Sequence, residues 1–151
     1  MSLHQNIKES IKDAMRAKDQ TKLMVLRALS AAFTNEVVAL KRKPDDEVTD
    51  EEALVVIMRE AKKRKDAIEQ FTAGGRPELA ANEQAELAII ETYLPAQMSR
   101  EEIEAAVIAK KEAMGITDAS QKGQFIGAVM KDLKGKADGK IVQEIVESLL
   151  K

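Results

Sequence analysis

The residue types that could do chemistry are concentrated between Gly123 and Lys140. Four of the seven glycines in the chain fall in this stretch. Its charged side chains, together with the lysine directly before it, are Lys122, Lys131, Asp132, Lys134, Lys136, Asp138 and Lys140. Lysine side chains contact phosphate oxygens, and glycines let a backbone approach a ligand closely. The positively charged stretch is therefore a candidate for contact with a phosphate backbone, through Lys131, Lys134, Gly135, Lys136, Gly139 and Lys140.

A simpler interpretation of the same stretch is that it joins and caps two short helices. Gly135 would end one helix and Asp138 would begin the next, and the lysines would be ordinary surface residues. The N-terminus of the second helix would itself favour an anion. The residues alone favour the capping interpretation, because it accounts for both the glycines and the aspartate. They exclude a nucleotide phosphate loop, since only three residues separate Gly135 from Gly139 and Ile141 stands where Ser or Thr is required.

A second basic cluster, Lys62, Lys63, Arg64 and Lys65, lies in a predicted helix. Four consecutive cations are spread around most of a helix circumference, so they cannot all face one ligand. The carboxylates nearby along the chain are Glu60, Asp66 and Glu69. A solvated, ion-paired face is the favoured interpretation of this cluster, with a phosphate contact as the alternative.

Side chains suited to catalysis or metal binding are scarce. The sequence has no cysteine, and its one histidine, His4, is predicted to be an exposed residue in a terminal helix. One histidine alone forms neither a catalytic triad nor a metal cluster. Arg27 has apolar neighbours on both sides, so its guanidinium is expected either to extend to solvent or to pair with a carboxylate or amide such as Glu36. We therefore predict no catalytic residues, no metal site and no cofactor.

The pattern of apolar residues predicts the fold. They recur at steps of three and four through most of the chain, which is typical of an all-α protein. Thr49 begins a capping box, a sixth helix is expected roughly from Ser120 to Leu133, and Pro95 opens a linker. The sequence thus predicts an N-terminal helical domain of about four helices over residues 1–95. A small C-terminal three-helix bundle is predicted over residues 96–151.

Composition narrows the class of protein further. The net charge of −2 at pH 7 implies no general attraction to nucleic acid or to a membrane surface. Three phenylalanines, one tyrosine and no tryptophan leave few rings on which bases could stack. Charges interrupt the N-terminal region where a signal peptide needs an apolar run, and no apolar run reaches the ~20 residues that span a bilayer. We expect a cytoplasmic protein that makes no contact with a membrane.

Several blocks of sequence, found in the expected order over nearly the whole chain, resemble the YqeY-like family. The last block is the run KGKADG at 134–139, which lies within the lysine-rich stretch. The family shares its domain with the tail of the B subunit of the glutamine-dependent aspartyl/glutamyl-tRNA amidotransferase. The matching blocks are 26–32, 35–36, 64–71, 75–76, 83, 86–87, 93–95, 127–130 and 134–139.

The resemblance implies a two-part helical fold and a contact with tRNA, since the similar tail domain of the amidotransferase contacts tRNA. Family members are commonly assigned carbon–nitrogen ligase activity with glutamine as amido-N-donor. The resemblance covers only the tail, however, so the chain alone is not expected to be catalytic. The expected function is a free-standing tRNA-binding or tRNA-amidotransferase-associated accessory protein. Its expected partners are tRNA and subunits of the amidotransferase or of an aminoacyl-tRNA synthetase.

The alternative function is a protein–protein interaction module that does not bind RNA. In that case the third and fourth helices would expose an apolar patch for a helix of the partner.

Overall fold

A computed structural model describes residues 1–150 of the chain as helices joined by short loops. Within these residues there are seven α-helices, one short 3₁₀ helix and no β-strand, which confirms the all-α prediction. The α-helices are α1 (Leu3–Ala17), α2 (Gln20–Ala39), α3 (Asp50–Ala73), α4 (Pro77–Glu91), α5 (Arg100–Met114), α6 (Lys122–Asp132) and α7 (Gly139–Leu149).

The chain forms two compact units, one covering Met1–Leu94 and the other beginning at Pro95. The first unit contains α1 to α4, and the second contains α5 to α7. Whether residues 1–95 and 96–151 are domains that fold independently stays a prediction, because compactness alone does not test it.

The core of the first unit is built on α2, which supplies fully buried side chains along one face. Its main helix pairs are α1 with α2 and α3 with α4. The largest fully buried side chains of this core are Ile7, Val25, Leu26, Leu29, Phe33, Val37, Val56, Ile57 and Ile90. Burial of these aliphatic and aromatic groups is the main force that holds the four helices together.

The second unit has its own core, in which α7 packs against both α5 and α6. Phe125 of α6 is fully buried at its centre. The other buried side chains of this core include Ile103, Val107, Val129, Val142, Ile145 and Val146. The spacing of three and four residues on each helix places these side chains on one face.

The helix ends show how well local sequence predicts boundaries. The capping box at Thr49 is confirmed: its hydroxyl accepts a hydrogen bond from Glu52 N at 3.2 Å, and Glu52 Oε1 accepts one from Thr49 N at 2.8 Å. The sixth helix, predicted roughly from Ser120 to Leu133, is present as an α-helix over Lys122–Asp132. Asp118 accepts a hydrogen bond from Ser120 N at 2.9 Å and caps a 3₁₀ turn over Ala119–Gln121, so the α-helix begins at Lys122.

Candidate nucleic-acid interface

The lysine-rich stretch forms the turn between α6 and α7. Leu133 O accepts hydrogen bonds from Lys136 N at 2.9 Å and from Ala137 N at 3.2 Å. Gly135 has a φ of 80°, a left-handed conformation that glycine adopts without a steric penalty. Gly135 and Ala137 are buried, whereas Lys134 and Lys136 are exposed. The turn therefore alternates between residues that fix its shape and lysines that face solvent.

The segment that precedes α5 forms hydrogen bonds with the backbone of this turn. Met98 N donates a hydrogen bond to Lys136 O at 2.8 Å. The side-chain amide of Gln97 donates from Nε2 to Gly135 O at 2.9 Å and to Pro95 O at 2.8 Å. These bonds occupy two consecutive carbonyl groups of the turn. They hold Lys134 and Lys136 on a backbone with little freedom to rearrange.

Four exposed lysines are found at this end of the α6–α7 pair. They lie in the last turn of α6, in the connecting turn and in the first turn of α7, and all are exposed: Lys131, Lys134, Lys136 and Lys140. In the described part of the chain, none of them lies within 4.0 Å of a carboxylate oxygen.

Two other charged residues of the same stretch, Lys122 and Asp132, form ion pairs within the second unit. Lys122 Nζ lies 3.0 Å from Glu147 Oε1. Lys110 Nζ lies 2.8 Å from Asp132 Oδ2, so the aspartate beside Lys131 is already paired with a cation of α5. The cations of this stretch that form no ion pair among residues 1–150 therefore lie at the turn, beside the carboxylate of Asp138.

Asp138 places its own carboxylate at the N-terminus of α7. Its Oδ1 accepts a hydrogen bond from Lys140 N at 2.8 Å, which confirms the predicted N-cap. A phosphate at this helix end would meet a like charge, so the anion site expected at the helix N-terminus is occupied by the chain itself. The lysine side chains, and not the helix N-terminus, are the groups available to a phosphate.

The two candidate glycines have different surroundings. Gly135 is buried and serves the shape of the turn, so a ligand cannot approach its backbone closely. Gly139 is exposed, and a Cβ at this position would make ordinary contact with Met130 Cε at 3.5 Å. Neither glycine is therefore required for close approach of a ligand.

In the second basic cluster, two of the four cations form ion pairs along α3. Glu60 binds both Lys63 Nζ at 3.1 Å and Arg64 Nη1 at 3.2 Å along α3. Arg64 is half-buried, and its Nε lies 3.7 Å from Glu83 Oε2 of α4. Lys62 and Lys65 have no carboxylate partner within 4.0 Å among residues 1–150. The cluster therefore offers two free cations, fewer than the α6–α7 turn.

Arg64 also faces a pair of glutamates on α4. Burial is the largest cause that raises the pKa of Glu86, and the nearby carboxylate of Glu83 raises it further. The guanidinium of Arg64 acts in the opposite direction. Arg64 thus stabilises the packing of α3 on α4, which is a structural role.

His4 has a structural role that the sequence analysis missed. The prediction of an exposed histidine is wrong, since only 5% of its surface is accessible. Val48 N donates a hydrogen bond to His4 Nδ1 at 3.0 Å, and the ring lies 5.0 Å from the ring of Phe33. The spacing from His4 to Ile7 and Ala14 on the buried face of α1 could have signalled this burial.

Of the two arrangements expected for Arg27, extension to solvent is observed and pairing with Glu36 is not. Arg27 is exposed on α2, and Glu36 pairs instead with Arg59 of α3 at 3.2 Å. Val25, Leu26 and Leu29 point into the core while the side chain of Arg27 points to solvent, as the helical period allows.

Among residues 1–150, no group of three or more His, Cys, Asp or Glu side chains could hold a metal ion. Over the same residues, none of the helices has the length and apolar character needed to cross a membrane.

Comparison with known proteins identifies relatives over most of the chain. A protein of Saccharomyces cerevisiae (strain YJM789), named "Altered inheritance of mitochondria protein 41, mitochondrial", is 31% identical over 132 residues, covering 87% of this chain and 70% of the relative. A protein of the same name from Pyrenophora tritici-repentis is 25% identical over 146 residues, covering 95% and 78%. The cytoplasmic location expected from the sequence is wrong by this comparison, because these relatives are named as mitochondrial proteins.

The family match spans nearly the whole chain. The family described as Yqey-like protein matches residues 4–150, which include both compact units and the lysine-bearing turn. The chain therefore belongs to the YqeY-like protein family.

Proposed function

We propose that this protein binds tRNA as an accessory of tRNA-modifying or tRNA-charging enzymes, and that the α6–α7 turn makes the contact. The observation that carries the proposal is the set of four exposed lysines at this turn, which have no carboxylate partner among residues 1–150. The resemblance to the tail domain of the tRNA amidotransferase supports RNA over other polyanions. Amidotransferase or aminoacyl-tRNA synthetase subunits are the protein partners that this resemblance suggests.

The chemistry of the turn suits phosphate contacts better than reading of bases. Each lysine presents a flexible ammonium group, which binds a phosphate as a point charge. The turn itself has no aromatic side chain on which a base could stack. Binding would therefore depend on the shape and charge of the RNA more than on its sequence, and it would weaken as salt is added.

A filter-binding titration with total tRNA tests this proposal. We expect the Lys134→Glu/Lys136→Glu variant to bind roughly 10- to 100-fold more weakly than the wild type, because two phosphate contacts become repulsive. The matched control is Lys62→Glu/Lys65→Glu, which makes the same change of charge on α3. The proposal fails if the turn variant retains as much tRNA as the wild type, or if the α3 variant alone loses binding.

The proposal assigns no catalytic step to this chain. Transfer of an amido group from glutamine requires a nucleophile and a base, and the sequence has no cysteine. The single histidine is buried and its Nδ1 already accepts a hydrogen bond from Val48 N. We expect no glutaminase turnover by the purified chain, and turnover above the blank would overturn this part of the proposal.

The interaction module remains the alternative, but the surface that we expected for it has little support. The exposed large hydrophobic side chains in the described part of the chain lie outside α3 and α4: Met1, Met15, Met24, Val38, Leu40 and Ile108. Helix α3 instead presents ion-paired charges.

A further inference from the structure

The second unit contains one aromatic ring and one arginine, and the fold already uses both. Phe125 is the single aromatic residue of the sequence from 95 to 151, and Arg100 is its single arginine. Phe125 is fully buried in the core, and Arg100 Nη1 lies 3.1 Å from Glu144 Oε2 of α7. Proteins hold unpaired bases by stacking them on aromatic rings or on arginine planes. At the α6–α7 turn, contact with RNA therefore falls to the four exposed lysines, which bind phosphates.

The four lysines extend from a backbone with little freedom to rearrange. Two of them lie in the adjoining ends of α6 and α7, and the other two lie in the turn between these helices. Leu133 O accepts two hydrogen bonds from backbone N–H groups of the turn. The side-chain amide of Gln97 and the N–H of Met98 donate hydrogen bonds to two of its carbonyl groups. The lysine side chains are flexible, but the four backbone positions that carry them are fixed relative to one another.

A fixed array of cations favours a fixed array of phosphates. A double helix presents its phosphates at set positions and carries more charge per unit length than a single strand. An unpaired strand must instead be ordered before several of its phosphates can meet several lysines at once, and this ordering costs conformational entropy. Stacking of the bases normally offsets that cost for single strands, and Phe125, the ring nearest in sequence to the turn, is buried.

We infer that the α6–α7 turn binds the phosphate backbone of double-helical RNA, and not unpaired nucleotides. This assignment rests on the proposed RNA contact and makes it more specific, because within a tRNA it places the turn against a helical stem. Double-stranded RNA is recognised mainly by its shape and through its phosphates and 2′-hydroxyl groups, which lysine ammonium groups can contact. The base sequence of the stem should therefore have little effect on binding.

Two RNAs with nearly equal numbers of phosphates test this inference with the full chain. One is a blunt duplex of about 16 base pairs, and the other is an unstructured pyrimidine strand of about 32 nucleotides. Both carry a fluorescein label, and fluorescence anisotropy measures their binding at the same low salt concentration. We expect the wild type to bind the duplex about tenfold or more tightly than the single strand. A second duplex of the same length and different sequence should bind within about twofold of the first.

Variants separate the contribution of charge from that of the fixed turn. Lys134→Glu/Lys136→Glu should weaken binding of the duplex about tenfold or more, while Lys62→Glu/Lys65→Glu on α3 should leave it unchanged. Gln97→Ala changes no charge but removes a hydrogen bond that holds the turn. It should weaken binding of the duplex about two- to tenfold and leave binding of the single strand unchanged. Circular dichroism establishes that each variant is folded.

The results that overturn this inference differ from the result that overturns the RNA contact itself. Equal or tighter binding of the single strand would show that the turn does not select a double helix. Equal weakening of both RNAs by Gln97→Ala would contradict selection by a fixed turn. If the wild type retains tRNA on filters but does not bind the duplex, the assignment to a helical stem is wrong and the RNA contact stands. If it binds neither tRNA nor the duplex, the proposed function fails as well.

Discussion

At the scale of single residues, His4 is the clearest case of a polar group whose role is set by its partners. Its Nδ1 accepts the hydrogen bond from Val48 N, so this nitrogen must be unprotonated in the folded protein. Burial is the largest cause that lowers the pKa of His4, and the cation of Lys8 lowers it further. Glu47, from the segment that precedes α3, acts in the opposite direction.

This geometry predicts how stability changes with pH. The unfolded chain takes up a proton at His4 more readily than the folded chain, because the pKa in the fold is lowered. The free energy of unfolding should be fully retained above a pH of about 6.5, the ordinary histidine pKa, and should fall as the pH drops below it. Urea unfolding between about pH 8 and pH 5.5 measures this change.

A substitution isolates the contribution of the imidazole. His4→Gln retains an acceptor for Val48 N but does not titrate, so its stability should vary less over the same range. His4→Ala should lower the free energy of unfolding by about 1–3 kcal/mol at pH 7, because it leaves the buried Val48 N–H without a partner. Parallel loss of stability in the wild type and His4→Gln would show that His4 is not the titrating group.

Residue roles were predictable from sequence where their partners are local. Thr49 and Asp138 cap helices through hydrogen bonds to residues two or three positions away, and both were predicted. The role of Gln97 was not predicted, because its side-chain amide donates a hydrogen bond to Gly135 O, which is 38 residues away along the chain. The burial of His4 similarly depends on Val48, 44 residues away.

At the scale of secondary-structure elements, the α6–α7 turn depends on the segment before α5. The side-chain amide of Gln97 donates a hydrogen bond to the carbonyl oxygen of the buried Gly135. The backbone N–H of Met98 donates one to the carbonyl oxygen of the next residue, Lys136. The lysine side chains themselves make no ion pairs within residues 1–150 that would fix them. The position of the positive charge is therefore determined by the backbone of the turn.

We expect Gln97→Ala to loosen this turn. Loss of the hydrogen bonds to Gly135 O and Pro95 O should lower the stability of the second unit by about 0.5–1.5 kcal/mol. Amide hydrogen exchange of residues 133–138 should become faster, and tRNA retention should fall although no charge has changed. Gln84→Ala, an exposed position on α4, is the control. Unchanged exchange at the turn would contradict a bracing role for Gln97.

Element boundaries were predictable to within a few residues, and the error at the sixth helix has a local cause. The prediction began the helix at Ser120, but the side chain of Asp118 caps a 3₁₀ turn, and the α-helix starts at Lys122. Periodicity shows which face of a helix is buried, but it does not distinguish a 3₁₀ turn from the first turn of an α-helix.

At the scale of the whole molecule, each compact unit has its own hydrophobic core. Phe33 is fully buried in the first core and Phe125 in the second. The all-helical class and the existence of seven helices followed from the apolar periodicity. An apolar groove lined by Ala106 and Ala109 of α5 and Val129 of α6 could not be predicted, because it depends on how far apart the two helices lie and not on the pattern within either.

We propose that the two units unfold independently, which is the physical meaning of the domain boundary predicted at residues 95 and 96. Phe33→Ala and Phe125→Ala should each lower the free energy of unfolding of their own unit by about 3–5 kcal/mol, because each leaves a cavity in a packed core. Hydrogen exchange should become faster in residues 1–94 for Phe33→Ala and in residues 95–150 for Phe125→Ala. Faster exchange throughout the chain for either variant would indicate one cooperative unit.

The salt dependence of tRNA binding tests the central claim most directly, because it counts the phosphate contacts. If Lys131, Lys134, Lys136 and Lys140 each neutralise one phosphate, the logarithm of the association constant should fall against the logarithm of salt concentration with a slope of about −3. For Lys134→Glu/Lys136→Glu the magnitude of that slope should fall by roughly half, while Lys62→Glu/Lys65→Glu should keep the wild-type slope. The same slope for the wild type and the turn variant would contradict the account.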